Sequence, residues 1–186
     1  NSGSSIYGSS WFMLHRIRLA MQSEDGGKMS GHVEVDETYI GAAARNMTFE
    51  KRRRVLGGHK GGHAGKVAVM GLLERESHEG HSKVRLRVVK GARRNDLVPH
   101  VVANVEPLSA VYTDALRSYD GLGESFIHKF IDHAEKYVEG QVHTNGLENF
   151  WSLLKRGLKG TYVSVEPFHL FRYLDEQAFR FNTRKL

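Results

Sequence analysis

The chain has 186 residues, with 27 Lys and Arg against 21 Asp and Glu, 3 prolines and no cysteine. A hydrophobic fraction of 40% with 10% aromatics suits one folded domain, or one with a small appendage, and argues against disorder. The absence of cysteine excludes disulfides, thiolate zinc sites, iron–sulfur clusters and cysteine nucleophiles, no apolar run approaches the roughly 18 residues of a membrane span, and the net charge of +6 favours a polyanionic partner.

The pattern predicts a soluble, intracellular, basic globular protein. Residues 1–10 are Ser/Gly-rich and begin without an initiator Met, so upstream sequence is expected. From Ser10, the residues Trp11, Leu14, Arg18 and Met21 keep a helical period, with Ser9 or Ser10 as N-cap. This predicts a short amphipathic helix over Ser10–Gln22, the remnant of a helix-turn-helix if Arg16 and Arg18 face phosphate. Residues 24–31 (EDGGKMSG) read as a linker. The domain division expected is 1–29, helix and linker, followed by 30–186.

His32–Ile40 (HVEVDETYI) alternates with period two and predicts a strand. It carries three carboxylates in close succession, Glu34, Asp36 and Glu37. Ala42–Gly65 is Gly/His/Arg-rich without periodicity, and reads as a long basic loop around Lys51, Arg52, Arg53 and Arg54. Such a run is by default a solvated face, but its place after the first strand makes phosphate contact equally reasonable. Lys66–Glu74 is a buried strand and Lys83–Lys90 a half-exposed one. A helix follows over Asn95–Asn104, capped by Asn95. Leu108–Thr113 is a short strand that delivers Asp114, and another short strand is expected around Phe126–Phe130.

Leu147, Phe150, Trp151, Leu154 and Leu158 fall on one stripe and predict an amphipathic helix. Pro167 opens a last helix with Phe168, Phe171, Leu174, Ala178 and Phe181 on its inner face. Strands and helices in this order define an α/β protein with a mixed sheet flanked by helices.

Three acids stand at chemically useful places: Asp36 within the first strand, Asp114 at the end of a later one, and Glu148 in the first turns of the amphipathic helix. Strand-end carboxylates face the crevice where open α/β sheets place their sites. A buried carboxylate needs a cation, and hard divalent ions take oxygen ligands. Two such ions about 4 Å apart activate an attacking oxygen and stabilise the leaving one in phosphodiester chemistry. Lys155 lies about two helical turns after Glu148 on the same face, with Arg156 beside it. Glu34 and Glu37 read as supporting or solvated. His59 and His63 do not make a convincing zinc pair, His78 and His81 read as solvated, and His133 and His143 read as structural or phosphate-orienting.

VDETYIG at 35–41, YTDALRSY at 112–119, HTNGLENFWSLLKRGLKGTY at 143–162 and FHLFRYLDEQAFRFNTR at 168–184 resemble the insertion-sequence DDE transposases related to the Merlin transposons. The resemblance covers about residues 31–184. It implies an RNase-H-like catalytic domain that cuts transposon ends and joins the 3′-hydroxyl to target DNA with Mg²⁺ or Mn²⁺, two ions being expected. It assigns Asp36 and Asp114 as the first two metal-ligating acids, Glu148 as the third with Asn145 as the alternative, and Lys155 as the associated basic residue, in contact with DNA. Glu37 and His143 would support them. Arg156, Lys51, Arg52, Arg53, Arg54, Arg16 and Arg18 would contact DNA. The partners implied are double-stranded DNA and a second copy of the chain in a dimer or higher oligomer, without a membrane, in a bacterial cytoplasm near the nucleoid. An RNase-H-like nuclease without strand transfer and a non-catalytic DNA-binding derivative are the rival readings.

Overall fold

The computed structural model describes residues 3–22, 27–41, 47–57, 63, 65–76, 80–114, 117–131, 144–162 and 165–185. Among these are strands β1 (His32–Ile40), β2 (Val67–Glu74), β3 (Lys83–Val89), β4 (Ala110–Asp114) and β5 (Ile127–Ile131). The helices are α1 (Gly3–Ala20), α2 (Phe49–Leu56), α3 (Arg94–Asn104), α4 (Asn145–Gly160) and α5 (Leu170–Asn182). The strands form one mixed sheet in the order β3–β2–β1–β4–β5. The β1–β2 and β2–β3 pairs are antiparallel, whereas β1–β4 and β4–β5 are parallel.

Each face of the sheet carries its own core. Val33, Val35, Ala68, Met70, Leu72 and Val111 point one way and meet Leu97 and Val101 of α3, with Tyr119, Leu122 and Phe126. Val69, Leu73 and Val84 point the other way, onto Leu147, Phe150, Trp151, Leu154 and Leu158 of α4 and Leu170, Leu174 and Ala178 of α5. Coverage on both sides explains why β2 reads as an almost unbroken apolar run. The five inner residues of α4 are all buried, each worth about 1.5–3 kcal/mol.

Several sequence expectations are corrected. The stretch read as a basic loop contains α2, which starts with the Arg52 N–H donating to the Thr48 carbonyl at 2.8 Å. FEKRRRVL has no apolar stripe to reveal it; Glu50 in the first turn and Arg53 and Arg54 in the last complement the helix dipole instead. Helix α1 runs from Gly3 straight through Ser9 and Ser10. It meets α5 through His15 and Arg18, both buried, and leaves Trp11 half exposed. In α3 the capping position is Arg93, whose carbonyl takes the first helical bonds, so Asn95 lies inside the helix. Pro167 opens a 3₁₀ turn, Pro167–His169, before α5. That tighter winding turns Phe168 outward, 80% exposed. His81 is buried, with a ring nitrogen 2.8 Å from the Asn182 carbonyl.

Candidate active site

The site is built on the parallel pair β1–β4. His32 pairs with Ala110, Val33 with Val111 and Glu34 with Tyr112. The pairing ends at Glu34 and Tyr112; two residues further along each strand, the same alternation turns Asp36 and Asp114 toward the face covered by α4. Asp114 is the last residue of β4.

Helix α4 supplies the rest. Asp36 pairs across β1–β2 with Gly71, and the Trp151 ring lies over that glycine. A Cβ at position 71 would fall 2.6 Å from the indole and 2.9 Å from Leu147 Cδ2. The bare backbone lets Trp151 reach across, where its Nε1–H donates to Asp36 Oδ2 at 2.9 Å. Glu148 stands in the first turn of the same helix with its side chain exposed.

Burial pushes the Asp36 carboxyl up to about 6; the Trp151 bond opposes this, while the charges of Asp114 and Glu148 push it further the same way. Asp36 therefore feels both other predicted acids. Glu37, on the opposite side of β1, is pushed up to about 7 by burial, opposed by the Tyr119 hydroxyl that donates to its Oε2 at 2.7 Å and reinforced by Asp114 and Asp36. Four carboxylates thus share one electrostatic neighbourhood.

Asn145 is the exposed first residue of α4, and Lys155 and Arg156 are exposed further along it. Arg52, Arg53 and Arg54 are exposed on α2, whereas the side chain of Lys51 lies outside the described residues, as do His59, His78, His133 and His143. Arg16 is exposed, its guanidinium 5.5 Å from the Phe12 ring centroid. Arg18, expected beside phosphate, is turned inward: its Nε–H donates to Glu176 Oε2 at 2.8 Å, and its guanidinium stacks on Tyr173 at 4.2 Å. The inner face of α1 is the one that packs on α5, and Arg18 is on it.

Of two further contributors, the sequence did not signal the first and left the second as supporting or solvated. Gly71 carried no local signal, being one glycine in an apolar strand. Glu34 did carry one: alternation places it on the same face as Asp36, between Val33 and Val35, where a carboxylate must find partners. It is 1% exposed. Its Oε1 accepts from Arg75 Nε and its Oε2 from the Leu147 backbone N–H, each at 2.8 Å.

Among the described residues no three His, Asp or Glu side chains stand close enough together to share one ion. The donors themselves suit a hard divalent cation: they are carboxylate oxygens whose mutual repulsion, with burial, raises a pKa. Mg²⁺ needs only one or two carboxylates, with water and substrate phosphate completing its shell. Asp36 and Asp114 meet that requirement.

The fold and site define an α/β protein whose five-stranded mixed sheet turns Asp36 and Asp114 toward one face, under a helix that also carries exposed cations. Residues 28–182 match the ISXO2-like transposase domain, and the chain belongs to that family of insertion-sequence transposases. It is 37% identical over 105 residues to a transposase-like protein of Haemophilus influenzae, covering 56% of this chain and 85% of that one. It is 28% identical over 162 residues to a protein in transposable element ISH50 of Halobacterium salinarum, covering 78% of this chain and 51% of that one. The chain thus spans about half the length of the second relative. Among the described residues, no helix is long and apolar enough to cross a membrane.

Proposed function

We propose that the chain is the catalytic core of a DDE transposase of the group related to the Merlin transposons, with its sheet arranged in the RNase-H-like manner, and that it cuts transposon ends and joins them to target DNA. The observation that supports this reading is that Asp36, buried on β1 and bonded to Trp151, feels the charges of Asp114 on β4 and Glu148 on α4. Asp36 and Asp114 would hold Mg²⁺ or Mn²⁺, with Glu148 as the third acid at the open edge and Asn145 one turn away as the alternative. Bound divalent ions would activate the attacking oxygen and stabilise the leaving one. Trp151 fixes the Asp36 carboxylate by its hydrogen bond and shields one side of it from water. Lys155 and Arg156 on α4, and Arg52, Arg53 and Arg54 on α2, neutralise DNA phosphates. Two or more copies of the chain hold the two ends.

A pre-cut transposon end incubated with target plasmid and Mn²⁺ tests this. The expected result is end–plasmid joined product, abolished in Asp36→Ala and Asp114→Ala while DNA binding survives. Metal-stimulated nicking without joined product would replace transposition by simple hydrolysis. Cleavage retained in either alanine variant would refute the assignment, and Asn145→Ala beside Glu148→Ala decides the third residue.

A further inference from the structure

Glu34 and Asp36 both point from β1 toward α4, two residues apart, and each bonds a different part of that helix. Trp151, which Asp36 accepts from, lies in the second turn; Leu147, whose N–H Glu34 accepts at 2.8 Å, lies in the first. Glu148 is the next residue after Leu147. The approach is made possible by Gly146, where a Cβ would sit 2.9 Å from Glu34 Oε2 and 3.1 Å from Oε1. On its other side Glu34 is held by Arg75. The Arg75 guanidinium stacks 4.3 Å above the Tyr112 ring, and the Tyr112 hydroxyl lies 2.7 Å from His32 Nδ1. The chain of contacts runs from β1 through β4 to the start of α4, across the two strands that carry Asp36 and Asp114.

A backbone N–H at a helix start has no partner within the helix, and a negative charge there is favoured by the dipole. Many side chains could satisfy it from solvent. Here it is done by a buried carboxylate from the strand that also carries the first acid, which fixes the helix start against that strand rather than merely capping it.

We infer that Glu34 is a positioning residue for the metal site: by gripping the Leu147 N–H across Gly146, it fixes where α4 presents Glu148 relative to Asp36. This rests on the metal-dependent reading of the acid cluster. Reach, rather than charge, is the working property. Glu34→Gln keeps an oxygen at the length needed for Leu147 but gives up the ion pair; Glu34→Asp keeps the charge for Arg75 but falls a methylene short of the helix.

Trp151 reports on the site directly, because its indole is bonded to Asp36, and it is one of two tryptophans in the chain. In a Trp11→Phe background, Mg²⁺ is titrated against Trp151 emission, with far-UV circular dichroism and thermal unfolding verifying the fold. The parent should respond saturably. Glu34→Ala and Glu34→Asp should raise the half-saturating Mg²⁺ concentration about tenfold, the low end of what residues orienting metal ligands typically cost, and Glu34→Gln should stay within about twofold of the parent. Midpoints in Glu34→Ala and Glu34→Asp equal to the parent's would overturn the positioning role alone. Equal weakening in Gln and Asp would overturn it in favour of charge. A parent with no saturable response would overturn the metal reading, and the positioning role with it. Should Glu34→Ala fail to fold, the Asp and Gln pair carries the comparison.

Discussion

Replacing Asp36 by Asn should make the metal-free protein more stable. In the fold, burial with Asp114 and Glu148 raises the Asp36 carboxyl from 3.8 to about 6. A carboxyl whose folded pKa lies above its unfolded value binds a proton more tightly when folded, so stability falls as pH rises from about 4 to about 6 and is flat beyond. A shift of about 2 units corresponds to about 3 kcal/mol at neutral pH. Asn is never charged, is nearly isosteric and offers an amide oxygen to the Trp151 N–H, so Asp36→Asn should recover most of that sum. For a domain of this size that is a rise in Tm of roughly 6–12 °C. Thermal unfolding of both proteins in EDTA between pH 4 and pH 8 measures it: the curves should coincide near pH 4 and separate to a plateau above about pH 6. Saturating Mg²⁺ should stabilise the wild type selectively, by about 2.7 kcal/mol at a hundredfold excess over Kd, and close the gap. An Asp36→Asn protein no more stable than wild type at pH 7 in EDTA would refute the reasoning, because the charge would then be compensated within the protein.

Three further outcomes follow from particular interactions. Gly71→Ala drives a methyl into Trp151 and Leu147 and should cost about 1–3 kcal/mol by overpacking, read by urea denaturation together with a change in Trp151 emission; unchanged values of both would contradict the close approach. Arg18→Ala opens a buried ion pair while Tyr162 and Arg180 remain bonded to Glu176, so the loss should be about 3 kcal/mol, the low end for such pairs, measured by chemical denaturation. Arg53→Glu and Arg54→Glu should each reduce the slope of log binding constant against log salt for duplex DNA by about 0.9 for each phosphate that the arginine neutralises; slopes identical to wild type would remove α2 from the DNA surface.

The parts of this fold that could be read in the sequence are those where period and burial agree. The alternation of β1, the apolar run of β2 and the five-residue stripe of α4 each reflect a core-facing surface. Helix α2 was hidden because it is short and rich in charge, and Phe49, Val55 and Leu56 are too few to set a hydrophobic period. The outward turn of Phe168 was hidden because one 3₁₀ turn shifts the phase of everything before α5. For the site, residue types and strand ends pointed to Asp36, Asp114 and Glu148 singly, but how they stand to one another depends on the β1–β4 pairing and the packing of α4, which join segments far apart in the chain and are tertiary properties. The role of Gly71 depends on the Trp151 ring that lies over it. Arg18 looked like a phosphate ligand because its partner, Glu176, is 158 residues away.

The account stands on a divalent-ion site at the Asp36–Asp114 pair, and the most direct measurement is the Mn²⁺ electron paramagnetic resonance spectrum of the purified protein titrated with Mn²⁺, beside Asp36→Asn and Asp114→Asn. Wild type should sequester Mn²⁺ saturably, Mg²⁺ should compete it off, and each substitution should abolish or severely weaken the uptake. Free-ion signal throughout the wild-type titration, or undiminished uptake in both variants, would contradict it.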